Sequence, residues 1–251
     1  MKLARDTWLV FQRQMLLVGR SPLQLAFGVV QPITYLLLYA PMLKLALSVS
    51  TFTQAYRIYV PGLLTLTAVL GGLFCGFNLM AEMRSGVIER ARVTPVSRLA
   101  LMLGRALREV VILLGQALII TVLALPFGLS VPIGDLLLAY LLLALMSLMA
   151  VTLSYGITLK VRNEMTLAPI MTTVSQPIML ISGVLLPLTL APLWLHRIAE
   201  YNPFYWATNG MRALFAGHLG EPAVWLSLVI VVVMTVLASA WSVRLFARRV
   251  Q

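Results

Sequence analysis

The sequence predicts an all-α, polytopic membrane protein, and three observations carry that reading. The 251 residues are 61% hydrophobic and only 11% charged, whereas a soluble domain carries roughly 25% charged residues. Uncharged apolar runs recur, each near the roughly 20 residues that take a helix across a bilayer. The hydrophobicity fills whole blocks instead of alternating, which argues against a β-barrel. Six spans are expected, at residues 22–43, 58–80, 107–129, 135–159, 165–186 and 223–243, within one membrane domain covering 1–251.

Ahead of the first span, residues 1–21 read as an amphipathic helix. Trp8, Phe11, Met15 and Val18 repeat at helical spacing, and Lys2, Arg5, Gln12 and Arg13 lie mostly off that stripe. Such a helix rests in the headgroup layer with its aromatics dipping inward. No cleavable leader is expected, because no A-x-A site follows the first apolar run. Gln31-Pro32 is expected to kink span one, since proline removes a backbone donor. Gly71, Gly72 and Gly76 in span two permit close helix approach. Spans three and four join through a short turn at Val131-Pro132, and spans four and five through the polar loop at 160–164; span five holds Pro169 and Pro177.

Residues 188–221 are too polar and too punctuated to span, yet half apolar. Asn202-Pro203 reads as a helix start, an N-cap side chain followed by proline at the first turn, and Gly217 as a stop. Residues 192–200 form a second short helix in this reading. Trp194, Tyr201, Tyr205, Trp206 and Phe215 crowd the segment, as aromatics do at membrane boundaries. Two short re-entrant helices dipping into the outer leaflet are expected.

Six spans place both termini on one side. Fifteen of the 19 lysines and arginines fall on that side and four on the other. Positive residues favour the cytoplasm, so both termini are expected inside, in the inner or plasma membrane. The same count explains the formal charge of +11 without a nucleic-acid partner. Several chemistries have no residues to carry them. The chain lacks a G-x-x-x-x-G-K-[ST] phosphate loop, an H-E-x-x-H or Cys/His metal cluster, and a G-x-S-x-G nucleophile. Cys75, the single cysteine, reads as a packing residue, and His196 and His218 as boundary polar groups. Glu109, Asp135 and Glu164 all read as lying near span ends. Mid-depth charges of the kind ion-coupled transporters use are therefore not expected, and the driving energy comes from elsewhere.

The residues from Glu82 to Glu109 carry nine charges between two apolar runs, and read as a segment that stays in water, with 82–106 on the cytoplasmic face. Ser85 is placed to cap a short helix reaching about Val93, and Thr94-Pro95 to start the helix that continues into span three. A short helix held between two spans is a lever: a soluble partner gripping it tilts both.

The run R-S-G-V-I-E-R-A-R-V-T-P-V-S-R at 84–98 resembles the loop after the second span of ABC-2 type exporter permeases, in particular the drug-resistance and nodulation-factor export permeases. The block at 182–212, S-G-V-L-L-P-L-T-L-A-P-L-W-L-H-R-I-A-E-Y-N-P-F-Y-W-A-T-N-G-M-R, is similar to that family's segment between spans five and six. The resemblance implies a permease that pairs with a second copy of itself or a homologous permease. It also implies two copies of a separate ATPase at the cytoplasmic face, so that ATP and magnesium belong to the partner and this chain is not itself an enzyme. It implies a coupling helix at 86–93, with Glu82, Arg84, Glu89, Arg90, Arg92, Thr94 and Pro95 as the coupling residues. It further implies a substrate path lined mainly by spans two and five, which points to Asn78, Thr172, Thr173, Ser175 and Gln176. Asn202, Pro203 and Tyr205 fall at the implied outer gate. A path of this composition suits an amphipathic or lipid-like substrate.

Overall fold

The computed structural model describes residues 2–19, 22–46, 52–87, 96–161, 163–184, 188 and 191–249. Among them the chain is helical throughout, without a strand: α1 Lys2–Gly19, α2 Pro22–Ala46, α3 Phe52–Arg84, α4 Arg98–Ala124, α5 Ile133–Val161, α6 Glu164–Ile181, α7 Leu193–Ala199, α8 Pro203–Phe215 and α9 Pro222–Arg249. Four described stretches are long and apolar enough to cross a membrane: Thr53–Arg84, Leu99–Phe127, Ile133–Val161 and Pro222–Phe246.

α3 is the hub. It packs against α2, α4, α5, α6 and α8, and 72% of its apolar window is buried, against 28% for α9. Its glycines make the closest approach. A Cβ on Gly72 would meet the Ala150 Cβ of α5 at 2.5 Å, and one on Gly76 would meet Ser154 Oγ at 2.6 Å. Ser154 uses that proximity: it accepts from Gly76 N at 2.9 Å and donates to Leu73 O. Small residues let two backbones touch where lipid offers no hydrophobic drive to pair them. At the periphery, α9 leaves Trp225, Val229, Val233, Val236 and Leu237 exposed, and α4 does the same with Leu118, Ile119 and Val122. A bilayer is the solvent that such faces require.

Helix boundaries differ from expectation around the charged stretch. α3 runs on to Arg84 and ends in a turn with Gly86 at φ +67°, a left-handed conformation that glycine adopts at least cost. α4 begins at Arg98, with Ser97 as its cap, the Ser97 hydroxyl accepting from Ala100 N at 3.2 Å. The helix therefore does not start at Thr94-Pro95; Val96 and Ser97 are not helical. Ser97 supplies the same capping oxygen one turn later. Ile88 through Pro95, the greater part of the expected coupling helix, lies outside the described residues, and with it Glu89, Arg90, Arg92, Thr94 and Pro95.

The stripe of α1 expected to dip into the bilayer also differs. The expected stripe of Trp8, Phe11, Met15 and Val18 is split: Phe11, Met15 and Val18 are half-buried, but Trp8 is exposed with Leu3, Leu9, Leu16 and Leu17. Val10 and Thr7 pack on Gly104 of α4, and Gln14 is buried. A polar residue thus anchors α1 to its neighbour and leaves the aliphatic residues outward, as suits a helix lying against lipid.

Between α6 and α9 both short helices form as read. Asn202 caps α8, its Oδ1 accepting from Phe204 N at 3.0 Å, and Pro203 opens the helix. Gly217, at φ +87°, closes it, with His218 N returning to Ala213 O at 3.0 Å.

Candidate substrate cavity and its charged floor

A cavity of about 620 Å³ opens among α2, α3, α4 and α6. α2 and α6 each lean on α3, with little contact between them among the described residues, so the cavity is a cleft on the side of the hub. On α3 the wall runs from Leu63 and Leu66 through Leu70 and Phe74 to Asn78; on α4 it runs from Gln116 through Ile112 to Glu109 and Arg108.

Four of the five expected path residues, Asn78, Thr172, Ser175 and Gln176, line this cavity; Thr173 does not. Two of the hydroxyls are spent on their own helix, Thr172 on Ala168 O at 2.9 Å and Ser175 on Thr172 O at 3.2 Å. Yet Thr172, Thr173 and Gln176 are exposed. A helix that presents threonines and a glutamine outward is not turned wholly to hydrocarbon.

The floor of the cavity, formed by Asn78, Arg108 and Glu109, is charged, and the sequence reading missed it; Glu82 and Arg105 lie beneath it and do not line it. Glu82 and Arg105 meet across α3 and α4 at 2.7 Å, with Arg105 only 5% exposed and Glu82 21%. Gln14 of α1 donates to Glu82 Oε1 at 3.3 Å. One turn deeper, Asn78 Nδ2 donates to Glu109 Oε1 at 3.1 Å, and Arg108 Nη1 approaches the same oxygen at 3.4 Å. Glu82–Arg105 and Asn78–Glu109 are successive rungs between antiparallel helices. Because α4 begins at Arg98, Glu109 lies well inside it and is buried, not at a span end. Arg105 and Arg108, read as part of a water-facing stretch, are inside the protein. The available signal was the i, i+3/i+4 spacing of Arg105, Arg108 and Glu109, which puts them on neighbouring positions of one helix surface.

The floor also bears on the expected coupling residues. Glu82 faces inward, with its carboxylate already engaged. Arg84 is half-exposed and pairs with Glu164 at the start of α6. At the far end Tyr205 is buried, its hydroxyl 3.1 Å from His196 Nε2. Asn202 Nδ2 donates to Ile178 O at 3.1 Å, which ties α8 to α6. Arg212 donates to Gly183 O at 2.6 Å, and burial pulls its pKa down to about 10.

The sequence profile of the ABC-2 type transporter family matches residues 5–216. The chain belongs to that family. Its curated relatives include "Putative transport permease ycf38" of Porphyra purpurea, 28% identical over 209 residues, covering 82% of this chain and 72% of that protein. The ycf38 protein of Pyropia yezoensis is 29% identical over 208 residues, 81% of this chain and 72% of that one. That of Cyanophora paradoxa is 24% identical over 216 residues, 84% and 74%. This ABC-2 chain therefore places its longest buried helix at the wall of a side-opening cavity with a charged floor.

Proposed function

We propose that this chain is the permease subunit of an ATP-driven exporter. It moves an amphipathic or lipid-like substrate, such as a drug, a glycolipid or a polysaccharide-linked lipid, out of the cytoplasm or the inner leaflet. In this reading α2 and α6 complete six spans, both termini are cytoplasmic, and the membrane is the cell's inner or plasma membrane. ATP and magnesium sit on two copies of a partner ATPase. A second permease, identical or homologous, covers the exposed polar side of α6, and Asn202, Pro203 and Tyr205 form the outer gate. The observation that carries the reading is the cavity: in a chain of this family, it brings residues of spans two and five to one cleft with both apolar and polar walls.

The coupling role falls to Arg84, Glu89, Arg90, Arg92, Thr94 and Pro95, while Glu82 supports the segment from within. The purified chain alone is expected to hydrolyse no ATP and to co-purify with a separate ATPase. Reversing Glu89 and Arg90 together (Glu89→Arg, Arg90→Glu) is expected to abolish substrate-stimulated turnover while the permease still inserts. Normal transport by that double variant would end the coupling assignment.

A second reading gains one observation. Buried Glu109 on the cavity is the kind of group that an ion-gradient-driven transporter uses. That reading expects uptake into proteoliposomes to follow an imposed proton gradient without nucleotide, and to vanish in Glu109→Gln. Flux that needs ATP and the partner subunit rejects it.

A further inference from the structure

The cavity carries its charged groups at one end, and the rest of its wall mixes aliphatic side chains with the neutral polar Gln31, Thr67 and Gln116. Asn78, Arg108 and Glu109 form the end nearest α1; Leu63, Leu66 and Leu70 line the other side, with Phe74 between. The two members of the charged pair are not equally satisfied. Glu109 accepts from Asn78 Nδ2. Arg108 and Glu109 are neighbours in sequence, and consecutive residues on a helix point in different directions; they meet only at 3.4 Å. Arg108 Nε is sealed from the cavity and finds no hydrogen-bond partner among the described residues, but the side chain as a whole lines the cavity and is 13% exposed. Its guanidinium has five N–H donors, and a buried cation with unspent donors is costly unless an acceptor meets it. Glu109 balances the charge of Arg108 but meets it only loosely, so an acidic group entering this end of the cavity has a cation to bind.

We propose that the Arg108 end of the cavity is a headgroup site for an acidic amphiphile, an apolar chain ending in a phosphate or carboxylate. Arg108 binds the head and Leu66, Leu70 and Phe74 line the chain. This rests on the cavity being the substrate path and goes further, by fixing the charge of the head. It also fixes the orientation: the head lies towards α1 and the end of α3, which is the cytoplasmic side in the proposed topology. An inner-leaflet amphiphile entering the cleft sideways already points that way. The head is either that of a membrane phospholipid or that of a free acidic amphiphile.

The test uses the full chain in phosphatidylcholine nanodiscs, with radiolabelled dodecyl phosphate and dodecanol as probes of one chain length and empty nanodiscs as the blank. Dodecyl phosphate is expected to bind about tenfold more tightly, the gain of a charge-assisted hydrogen bond. Arg108→Gln is expected to bring the phosphate-to-alcohol ratio close to one with dodecanol binding unchanged. Arg108→Lys, which keeps the charge and controls for folding, keeps part of the preference. Leu70→Trp, which fills the cleft, is expected to remove both ligands. A ratio unchanged in Arg108→Gln overturns the headgroup site while leaving the cavity standing. Indifference of both probes to Leu70→Trp overturns the cavity reading itself. Repeating the titration in nanodiscs containing phosphatidylglycerol separates the sources. Loss of dodecyl phosphate binding identifies a phospholipid head, and undiminished binding identifies a free amphiphile.

Discussion

The two ends of the bundle solve one problem, holding helix ends together, with different chemistry. At the α1 end, charges do it: Gln14, Glu82 and Arg105, then Asn78, Glu109 and Arg108. At the α8 end, side chains grip backbone carbonyls: Asn202 on Ile178 O, Arg212 on Gly183 O, Trp206 on Glu200 O. Removing one member of a buried ion pair strands the other, a cost far larger than the pair's net worth. Removing one of these side chains leaves a backbone acceptor that water or a relaxed geometry partly satisfies. The first end therefore fails all at once and the second fails gradually, as suits a fixed floor and a segment proposed to open.

Five substitutions grade that contrast. Glu82→Ala or Arg105→Ala is expected to destabilise by about 3–5 kcal/mol, read from denaturant unfolding in detergent. The double variant Glu82→Ala/Arg105→Ala is expected to cost less than the two single losses added together; strict additivity would mean that the two groups do not act as a pair. Next comes Gly76→Val at the α3–α5 contact, where the new side chain meets Ser154; overpacking of this kind costs about 1–3 kcal/mol, and helix crosslinking through cysteines placed on α3 and α5 would report the forced separation. Asn202→Ala loses a cap and the bond to α6, for about 1–2 kcal/mol. Its signature is faster hydrogen exchange in α8 with α4 unchanged. The smallest effect is expected from Arg84→Ala, whose partner Glu164 is half-exposed, within about 1 kcal/mol; a larger loss would place that pair with the buried ones.

Much of the bundle was legible because lipid simplifies the code. Long apolar blocks become helices, Asn202-Pro203 begins one, and Gly217 ends it. What the pattern hid was direction. Arginine 105 looks the same whether its helix continues into water or folds beside an acidic neighbour, and only the antiparallel meeting of α3 and α4 puts Glu82 opposite it. The side chains of α1 were ambiguous for the same reason: an amphipathic stripe has two ways to face when both protein and lipid are apolar, and Gln14 decided it by finding Glu82. At the cavity, the family resemblance pointed to spans two and five, and Asn78 and Gln176 both line the cleft. Type did not say that Thr172 would turn its hydroxyl back on its own backbone, nor that Thr173 would face elsewhere.

The slight contact between α2 and α6 among the described residues bears on how the proposed cargo would enter. In the proposed reading, a slot open along its flank lets cargo slide in from the plane of the lipids and travel along α3. The densely packed seam of α3 with α5 and α8 stays shut behind it.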